Sequence, residues 1–297
     1  MDRKVRPIAD ARSARSGARA YLLLAPALVV LGGLFVGGLA VGLLRSLGIN
    51  LALGQTELSL ASYETVLSDP LIYQSLGLSL WIAFASTLIS AVLAVAAALV
   101  LRRSFVGRGL ATFLFQLNLT IPHLVGAIGV LYLFSQSGSF ARIAAAAGLI
   151  GRPAEFPAIV YDPAAIGVIL AYVWKEVPFI GVIVLANLRA IGTEHEAAAR
   201  SLGASRWQVL RHVTLPMIGP GLLSASAIVF AFAFGAYEVP AMLGSSVPQA
   251  LPVVAYRRFT DVDIAARPEA LALGLLIGLI SLALLLVYVL ATRRSAS

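Results

Sequence analysis

The chain has 297 residues, of which 60% are hydrophobic and 12% are charged, and it carries a net charge of +8 with no cysteine. A soluble domain averages roughly 45–50% apolar and about 25% charged residues, so this composition excludes an ordinary soluble protein. The lack of cysteine excludes disulfides, thiolate metal sites and a cysteine nucleophile. The arginines stand in short clusters beside apolar blocks, without interleaved aromatic residues, so we interpret the charge as a membrane feature and expect no nucleic-acid partner.

Six apolar blocks each approach the roughly 20 residues that a helix needs to cross a bilayer. They predict membrane-spanning helices at 21–44, 76–101, 110–134, 164–187, 217–243 and 270–291. The arginine-rich residues 1–20 predict a disordered cytoplasmic tail, and a further apolar stretch, 141–150, is too short to span and predicts a short surface helix or loop. The first block lacks a convincing cleavage site, so we interpret it as a retained span. The sequence therefore predicts an all-α membrane protein with six transmembrane helices and a core domain at 70–292.

The distribution of lysine and arginine predicts the orientation of these helices. Fifteen basic residues fall in the segments on the same side as the N-terminus, and six fall in the opposite loops. Basic residues accumulate in short cytoplasmic loops, so both termini are predicted to be cytoplasmic.

A basic loop, 187–216, separates the fourth and fifth blocks. Thr193 followed by Glu196, and Ser205 followed by Gln208, match the capping box, in which two side chains satisfy free N–H groups at the start of a helix. The loop is therefore predicted to contain two short helices on the cytoplasmic side.

Two further residues define the ends of these helices. Gly203 can close the first helix in a left-handed conformation, and Pro216 should stop the second, because proline disfavours helix at the residue before it. Trp207 and Leu210 lie on one stripe of the second helix. Such a hairpin is too small to hold a core, so it either binds a partner or lies on the lipid headgroups as a structural connector.

The loop resembles the EAA loop of permease subunits of binding-protein-dependent ABC importers. In that family the residues E-A-A are followed by a glycine and, after nine residues, by I-x-L-P. Here Ala198-Ala199-Arg200, Gly203 and Val213-Thr214-Leu215-Pro216 match, but Ala197 occupies the place of the motif glutamate and Glu196 comes one residue early. The resemblance implies that the docking surface for the ATPase comprises Glu196, Ala197, Ala198, Gly203, Arg206, Trp207, Val213, Leu215 and Pro216.

The resemblance also implies a fold and a set of partners. It implies the type I ABC importer permease fold, in a multi-pass protein of the bacterial inner membrane. The implied partners are two ATP-binding subunits, a second permease subunit that is either a different chain or a second copy, and an extracytoplasmic solute-binding protein. No G-x-x-x-x-G-K-[ST] phosphate loop occurs in this chain, so ATP and Mg²⁺ are expected on the partner ATPase, with no catalytic residue, cofactor or metal site here.

Polar side chains within or beside the spans are candidates for the solute path, because lipid penalises such groups unless they have partners or meet water. The candidates are Asn118, His123, Lys175, Glu176, Tyr237 and Glu238. Lys175 and Glu176 could instead lie nearer a membrane face and pair with neighbours. His123 follows Pro122 and fits a hydrogen-bonded residue at a helix break better than a ligand, since proline frees a carbonyl. Glu238 either attracts a cation or lies among the headgroups.

The segments 237–240 and 248–253 resemble the branch of the family that imports polyamines, with ferric-ion, thiamine, sulfate and phosphonate importers as relatives. Putrescine or spermidine is therefore our first hypothesis for the substrate. A dimeric secondary transporter is an alternative, because six spans without an internal repeat are half of a typical transporter. A membrane-embedded enzyme is another, but no H-E-x-x-H pair occurs. Both alternatives leave the loop unexplained.

Overall fold

The computed structural model describes residues 10–49, 54 and 56–294, and the side chains of 23–49, 54 and 56–287. Every regular element in these ranges is helical. The helices are α1 (Asp10–Ser46), α2 (Ala61–Ser68), α3 (Pro70–Leu101), α4 (Arg108–Leu117), α5 (His123–Phe134), α6 (Ser139–Ala146), α7 (Ile166–Ile191), α8 (Glu194–Ser201), α9 (Arg206–Val209), α10 (Leu215–Gly235), α11 (Glu238–Leu243), α12 (Leu251–Phe259) and α13 (Arg267–Arg294).

Six segments of the described chain are long and apolar enough to cross a membrane. They are Leu23–Ser46, Pro70–Leu101, His123–Ala146, Ile166–Ile191, Arg206–Gly235 and Ile264–Val287. The predicted all-α architecture with six membrane helices is confirmed.

The predicted third span, 110–134, is wrong in its boundaries. Helix α4 ends at Leu117, a 3-10 turn covers Asn118–Thr120, and α5 begins after Pro122. Proline has no N–H to bond the carbonyl of Asn118, four residues earlier, so one continuous helix cannot pass this point. The apolar span here is His123–Ala146. Its second half is α6, the short helix that overlaps the apolar stretch 141–150.

Three other boundaries differ from the sequence predictions. Residues from Asp10 onward are helical although a disordered tail was expected to residue 20, because alanine and arginine favour helix; residues 1–9 lie outside the described part. Helix α3 begins at Pro70, where Asp69 caps it by accepting the N–H of Leu71. Helix α10 ends at Gly235 instead of residue 243, since Pro240 cannot bond the carbonyl of Ala236.

Helices α3, α7 and α10 pack together and form the core. One buried cluster includes Ile82 of α3, Tyr172 of α7 and Phe234 of α10. A second cluster joins the other ends of the same helices, around Ala98 of α3 and Val184 of α7. Two apolar layers thus hold the three helices along their length, and the loop between α7 and α10 emerges from one end of this core.

Ion pairs between distant segments of the chain occur at both ends of the helix bundle. At one end, Arg258 donates to Asp69 at 2.6 Å and to Glu269 at 3.0 Å, joining the starts of α3 and α13 to α12. At the other end, Arg102, just after α3, binds Glu196 of α8. Each contact joins residues that the charge distribution assigns to one side of the membrane. Helix α1 packs against α13 and leaves nearly all of its described side chains exposed.

Candidate functional site

The loop between α7 and α10 folds into two short helices around a glycine turn. Helix α8 ends at Ser201, and Gly203 adopts a left-handed conformation with φ of +88°. The N–H of Gly203 donates to the carbonyl of Arg200 at 3.0 Å, and that of Ala204 donates to Ala199 at 3.1 Å, which satisfies the last carbonyls of the helix. The predicted glycine turn is confirmed.

The second predicted capping box is confirmed at the start of α9. The N–H of Gln208 donates to the hydroxyl of Ser205 at 3.3 Å, and the N–H of Ser205 donates to Oε1 of Gln208 at 2.8 Å. Both bonds lie within four consecutive residues, so the turn and the start of α9 form one locally fixed unit.

The first predicted capping box does not form. Thr193 stands at the N-cap of α8 without a side-chain hydrogen bond, and the Glu196 side chain turns away from the helix start. Nη1 and Nη2 of Arg102 donate to Oε1 and Oε2 of Glu196 at 2.8 and 2.7 Å, and Thr214 donates its hydroxyl to Oε1 at 2.6 Å. The prediction was wrong because a charged partner outcompetes a neutral backbone N–H.

Glu196 therefore connects three segments of the chain. Its carboxylate joins α8 to the residue after α3, through Arg102, and to the residue before α10, through Thr214. Only 7% of Glu196 is exposed. The hydrogen bonds from Arg102 hold the pKa of this carboxyl below its ordinary value of 4.5, so it is ionised at neutral pH. Sequence reasoning assigned Arg102 no role beyond orientation and Thr214 none beyond the motif, because only the fold brings these residues to α8.

The helix after the turn continues through Pro216, contrary to the prediction that it stops there. Residues Leu210–Thr214 form a π segment, in which the N–H of Leu215 donates to the carbonyl of Leu210, five residues earlier. The wider turn accommodates a proline that cannot make the regular bond. Helices α9 and α10 are therefore one body, and the loop is mechanically continuous with the fifth span.

The remaining docking candidates lie at the surface of the loop. Ala197, Ala198, Gly203, Arg206, Trp207 and Pro216 are exposed, and Val213 and Leu215 are half-buried. Leu202 and Trp207 flank the glycine turn, and 89% and 63% of their surfaces are exposed. The tip of the loop is thus apolar. Glu196 is the exception among the nine candidates, since its side chain faces inward.

Four of the six candidates for the solute path form one cluster between α4, α5 and α7. Nζ of Lys175 donates to the carbonyls of Asn118 at 2.6 Å and Ile121 at 2.5 Å, and Nδ2 of Asn118 donates to the carbonyl of Trp174 at 2.5 Å. Nε2 of His123 lies 3.1 Å from Oε1 of Glu176.

Two prolines explain this arrangement. Pro122 cannot bond the carbonyl of Asn118, and Pro178 cannot bond that of Trp174, since each carbonyl lies four residues before the proline. Lys175 satisfies the first freed carbonyl and Asn118 satisfies the second. Each helix therefore supplies the polar group that the break in the other requires. The expected hydrogen bond of His123 beside the proline break is present, and it is made to Glu176.

Aromatic rings cover one side of the His123–Glu176 pair. Phe232 of α10 lies 4.7 Å from the His123 ring and 6.2 Å from the Tyr172 ring, between centroids. Sequence reasoning missed Phe232 and Tyr172, since nothing distinguishes them from other apolar residues of their spans. The cluster is therefore held from three helices.

Tyr237 and Glu238 are not hydrogen-bonded to this cluster, although Glu238 is near enough to Tyr172 to interact with it electrostatically. Tyr237 packs on Tyr256 of α12 with ring centroids 4.4 Å apart, and Glu238 is exposed at the start of α11. No ion pair or hydrogen bond joins either residue to the cluster within the part of the chain that the structure describes. Nor do three or more His, Asp or Glu residues meet in that part in a way that would hold a metal ion.

Comparisons with known proteins agree with this architecture. The family described as "Binding-protein-dependent transport system inner membrane component" matches residues 90–296. The molybdenum transport permease ModB of Mycobacterium tuberculosis is 33% identical over 68% of this chain and 75% of its own. The sulfate permease CysT of Salmonella typhimurium is 27% identical over 77% and 80%. The putrescine permease PotI of Escherichia coli is 29% identical over 72% and 70%.

The same fold occurs in a solved structure. A bacterial ABC transporter involved in the import of the acidic polysaccharide alginate superposes with a TM-score of 0.76, at 20% identity, over 95% of this chain and 99% of the transporter chain. The protein therefore belongs to the family of binding-protein-dependent transport system inner membrane components and is a multi-pass permease subunit of an ABC importer.

Proposed function

We propose that the loop from α8 to α9 is the surface through which separate ATPase subunits drive this permease. The supporting observation is the combination of an exposed apolar tip, Leu202 and Trp207, with a buried anchor at Glu196. Exposed aromatic and apolar anchors are typical centres of protein interfaces. The anchor connects the tip to α3, and the continuous helix through Pro216 connects it to α10. A displacement of the tip would therefore be transmitted to the core helices α3 and α10.

The proposal includes an orientation and a set of partners. Both termini and the loop face the cytoplasm, where two ATPase subunits hold ATP and Mg²⁺ and hydrolyse the ATP. A second permease subunit, a different chain or another copy, completes the path, and an extracytoplasmic binding protein delivers the solute. The excess of basic residues on the side of the loop supports this orientation.

We propose a small oxyanion, such as molybdate or sulfate, as the substrate. The supporting observation is the similarity to a molybdenum permease and a sulfate permease. A polyamine, our first hypothesis from the sequence, is the second candidate. It is favoured by the similarity to a putrescine permease and by the exposed carboxylate of Glu238 beside the Tyr237–Tyr256 pair, which could attract a cation.

One experiment tests the docking role and the substrate together. The chain is coexpressed with its neighbouring ATPase and binding protein, reconstituted in vesicles, and assayed for ATP hydrolysis with molybdate, sulfate, putrescine or spermidine. We expect an oxyanion to stimulate hydrolysis, and Trp207→Ala to abolish the stimulation. Stimulation by polyamines alone would overturn the substrate proposal. A Trp207→Ala variant that is as well stimulated as the wild type would overturn the docking proposal.

A further inference from the structure

A cavity of about 690 Å³ lies behind the loop, between α8 and α9 on one side and the ends of α3 and α7 on the other. Its polar lining is dominated by guanidinium groups. Those that line it belong to Arg102, Arg103, Arg189, Arg200 and Arg206, and the one carboxylate among the lining residues is that of Glu196. The cavity therefore carries a large excess of positive charge.

The carboxylate neutralises only one of these arginines. Arg102 takes both oxygens of Glu196, and Nε of Arg200 donates to the backbone carbonyl of Glu196 at 3.2 Å. Arg103, Arg189 and Arg206 have no carboxylate within 4 Å among the described residues. Three like charges around one cavity repel one another, so an anion that enters would be attracted by all three.

The position of the cavity indicates where such an anion would come from. Arg103 lies two residues beyond the end of the span Pro70–Leu101, and Arg189 lies in the last turn of the span Ile166–Ile191. Leu99, one turn before Arg103, and Leu188, the residue next to Arg189, also line the cavity. The cavity thus combines arginines at the ends of two spans with two leucines of the same spans. Basic pockets between helices on the cytoplasmic side favour anionic headgroups.

The cavity lies along one face of α8, where only Glu196 is buried. Thr193, Glu196 and Arg200, spaced three and four residues apart, share the face that lines the cavity. His195 and Ala198 lie on the opposite, exposed face, and the apolar tip projects beyond it at Leu202. An ATPase that contacts the tip would therefore leave the cavity to a smaller ligand.

We propose that this cavity binds the phosphate group of an anionic membrane lipid and that the bound lipid supports the loop from behind. The proposal rests on the cytoplasmic orientation proposed above. Lipid retention does not require the ATPase, so this site and the docking role can fail separately. Each arginine near an anionic headgroup contributes about fivefold to binding, so loss of two should weaken it about 25-fold.

The test compares two double variants of equal charge. Arg103→Gln with Arg189→Gln removes two arginines of the cavity, and Arg108→Gln with Arg211→Gln removes two arginines from the same predicted side that do not line it. The full transporter is exchanged into nanodiscs that contain phosphatidylglycerol or phosphatidylcholine, and retained lipid is measured by native mass spectrometry.

We expect the wild type to retain phosphatidylglycerol in preference to phosphatidylcholine. Binding of phosphatidylglycerol should be about 25-fold weaker in the cavity variant and unchanged in the control variant. Equal retention by both variants would overturn the proposal. Inorganic phosphate that stabilises the wild type without any retained lipid would overturn the lipid as the source of the anion. Lipid that is retained by the permease alone and released on assembly with the ATPase would overturn the support of the loop by lipid, and would assign the cavity to acidic ATPase side chains.

Discussion

Arg102 and Glu196, far apart in sequence, form a paired contact in which two guanidinium nitrogens donate to two carboxylate oxygens at 2.8 and 2.7 Å. This contact fixes the loop relative to α3. The glutamate that the family motif places at position 197 is alanine here, and its neighbour at 196 points into the protein. Glu196 is thus an internal anchor, while the exposed surface of the loop is apolar at its tip.

Removing the contact between Arg102 and Glu196 should weaken the coupling between solute and ATP hydrolysis. Arg102→Ala leaves a nearly buried carboxylate without its partner, and we expect a loss of about 2–3 kcal/mol in the free energy of unfolding. Solute-stimulated ATP hydrolysis should fall as well. The exchange variant, Arg102→Glu with Glu196→Arg, should recover part of both losses, measured by denaturant titration and by ATPase assay. An exchange variant as impaired as the sum of its single variants would contradict a direct role of the pair.

The pH dependence of the loop follows from the same carboxyl. Its pKa is lowered, chiefly by the hydrogen bonds from Arg102, so its contribution to stability is complete above the ordinary pKa of 4.5 and is lost as pH falls through the lowered value. Arg102 and Arg200 stay charged throughout. Amide exchange in α8 should therefore be independent of this group from pH 7 to about 4.5 and should accelerate only below that range. Glu196→Gln should remove the acid transition, and its persistence in that variant would assign it to another group.

The polar cluster in the membrane should act chiefly on stability. Lys175→Met leaves the carbonyls of Asn118 and Ile121 without a donor, at a cost of about 1–3 kcal/mol for each buried group. Asn118→Leu should have a similar effect through the carbonyl of Trp174. Thermal unfolding in detergent measures both, with the exposed Glu238→Gln as a control that should change little. A Lys175→Met variant of unchanged stability that no longer transports would instead place Lys175 in the solute path.

Features that depend on neighbouring residues could be predicted from the sequence. The prediction failed where a side chain binds a residue that is distant in the chain. The Ser205 and Gln208 box and the Gly203 turn each form within a few residues, so their patterns were sufficient. Thr193 and Glu196 have the same pattern, but Arg102 and Thr214, brought close only by the fold, take the carboxylate. Pro122 stands within the predicted third span, and the helix is interrupted there although the apolar pattern continues. Pro216 did not stop its helix, because the π segment before it changed the hydrogen-bond register.

A substitution at Gly203 tests the turn without altering any contact. A Cβ added there would meet no atom within 4 Å, so Gly203→Ala should cost only the left-handed conformation, about 1 kcal/mol. Gly219→Ala is the matched control, because Gly219 also has open space but lies within helix α10. There alanine should stabilise by about 0.5–1 kcal/mol. Opposite shifts in unfolding midpoint are expected, and a stabilising Gly203→Ala would show that the turn is not required.

The chain has no cysteine, so single cysteines can report both the side of the membrane and the docking partner. Leu202→Cys is at the tip of the loop, and Val262→Cys is at the opposite end of the molecule, with 89% and 98% of the native side chains exposed. In inverted vesicles that contain the assembled transporter, a membrane-impermeant maleimide crosslinker should join Leu202→Cys to the ATPase and should leave Val262→Cys unlabelled. Labelling of Val262→Cys with no ATPase adduct at Leu202→Cys would contradict both the orientation and the docking role of the loop.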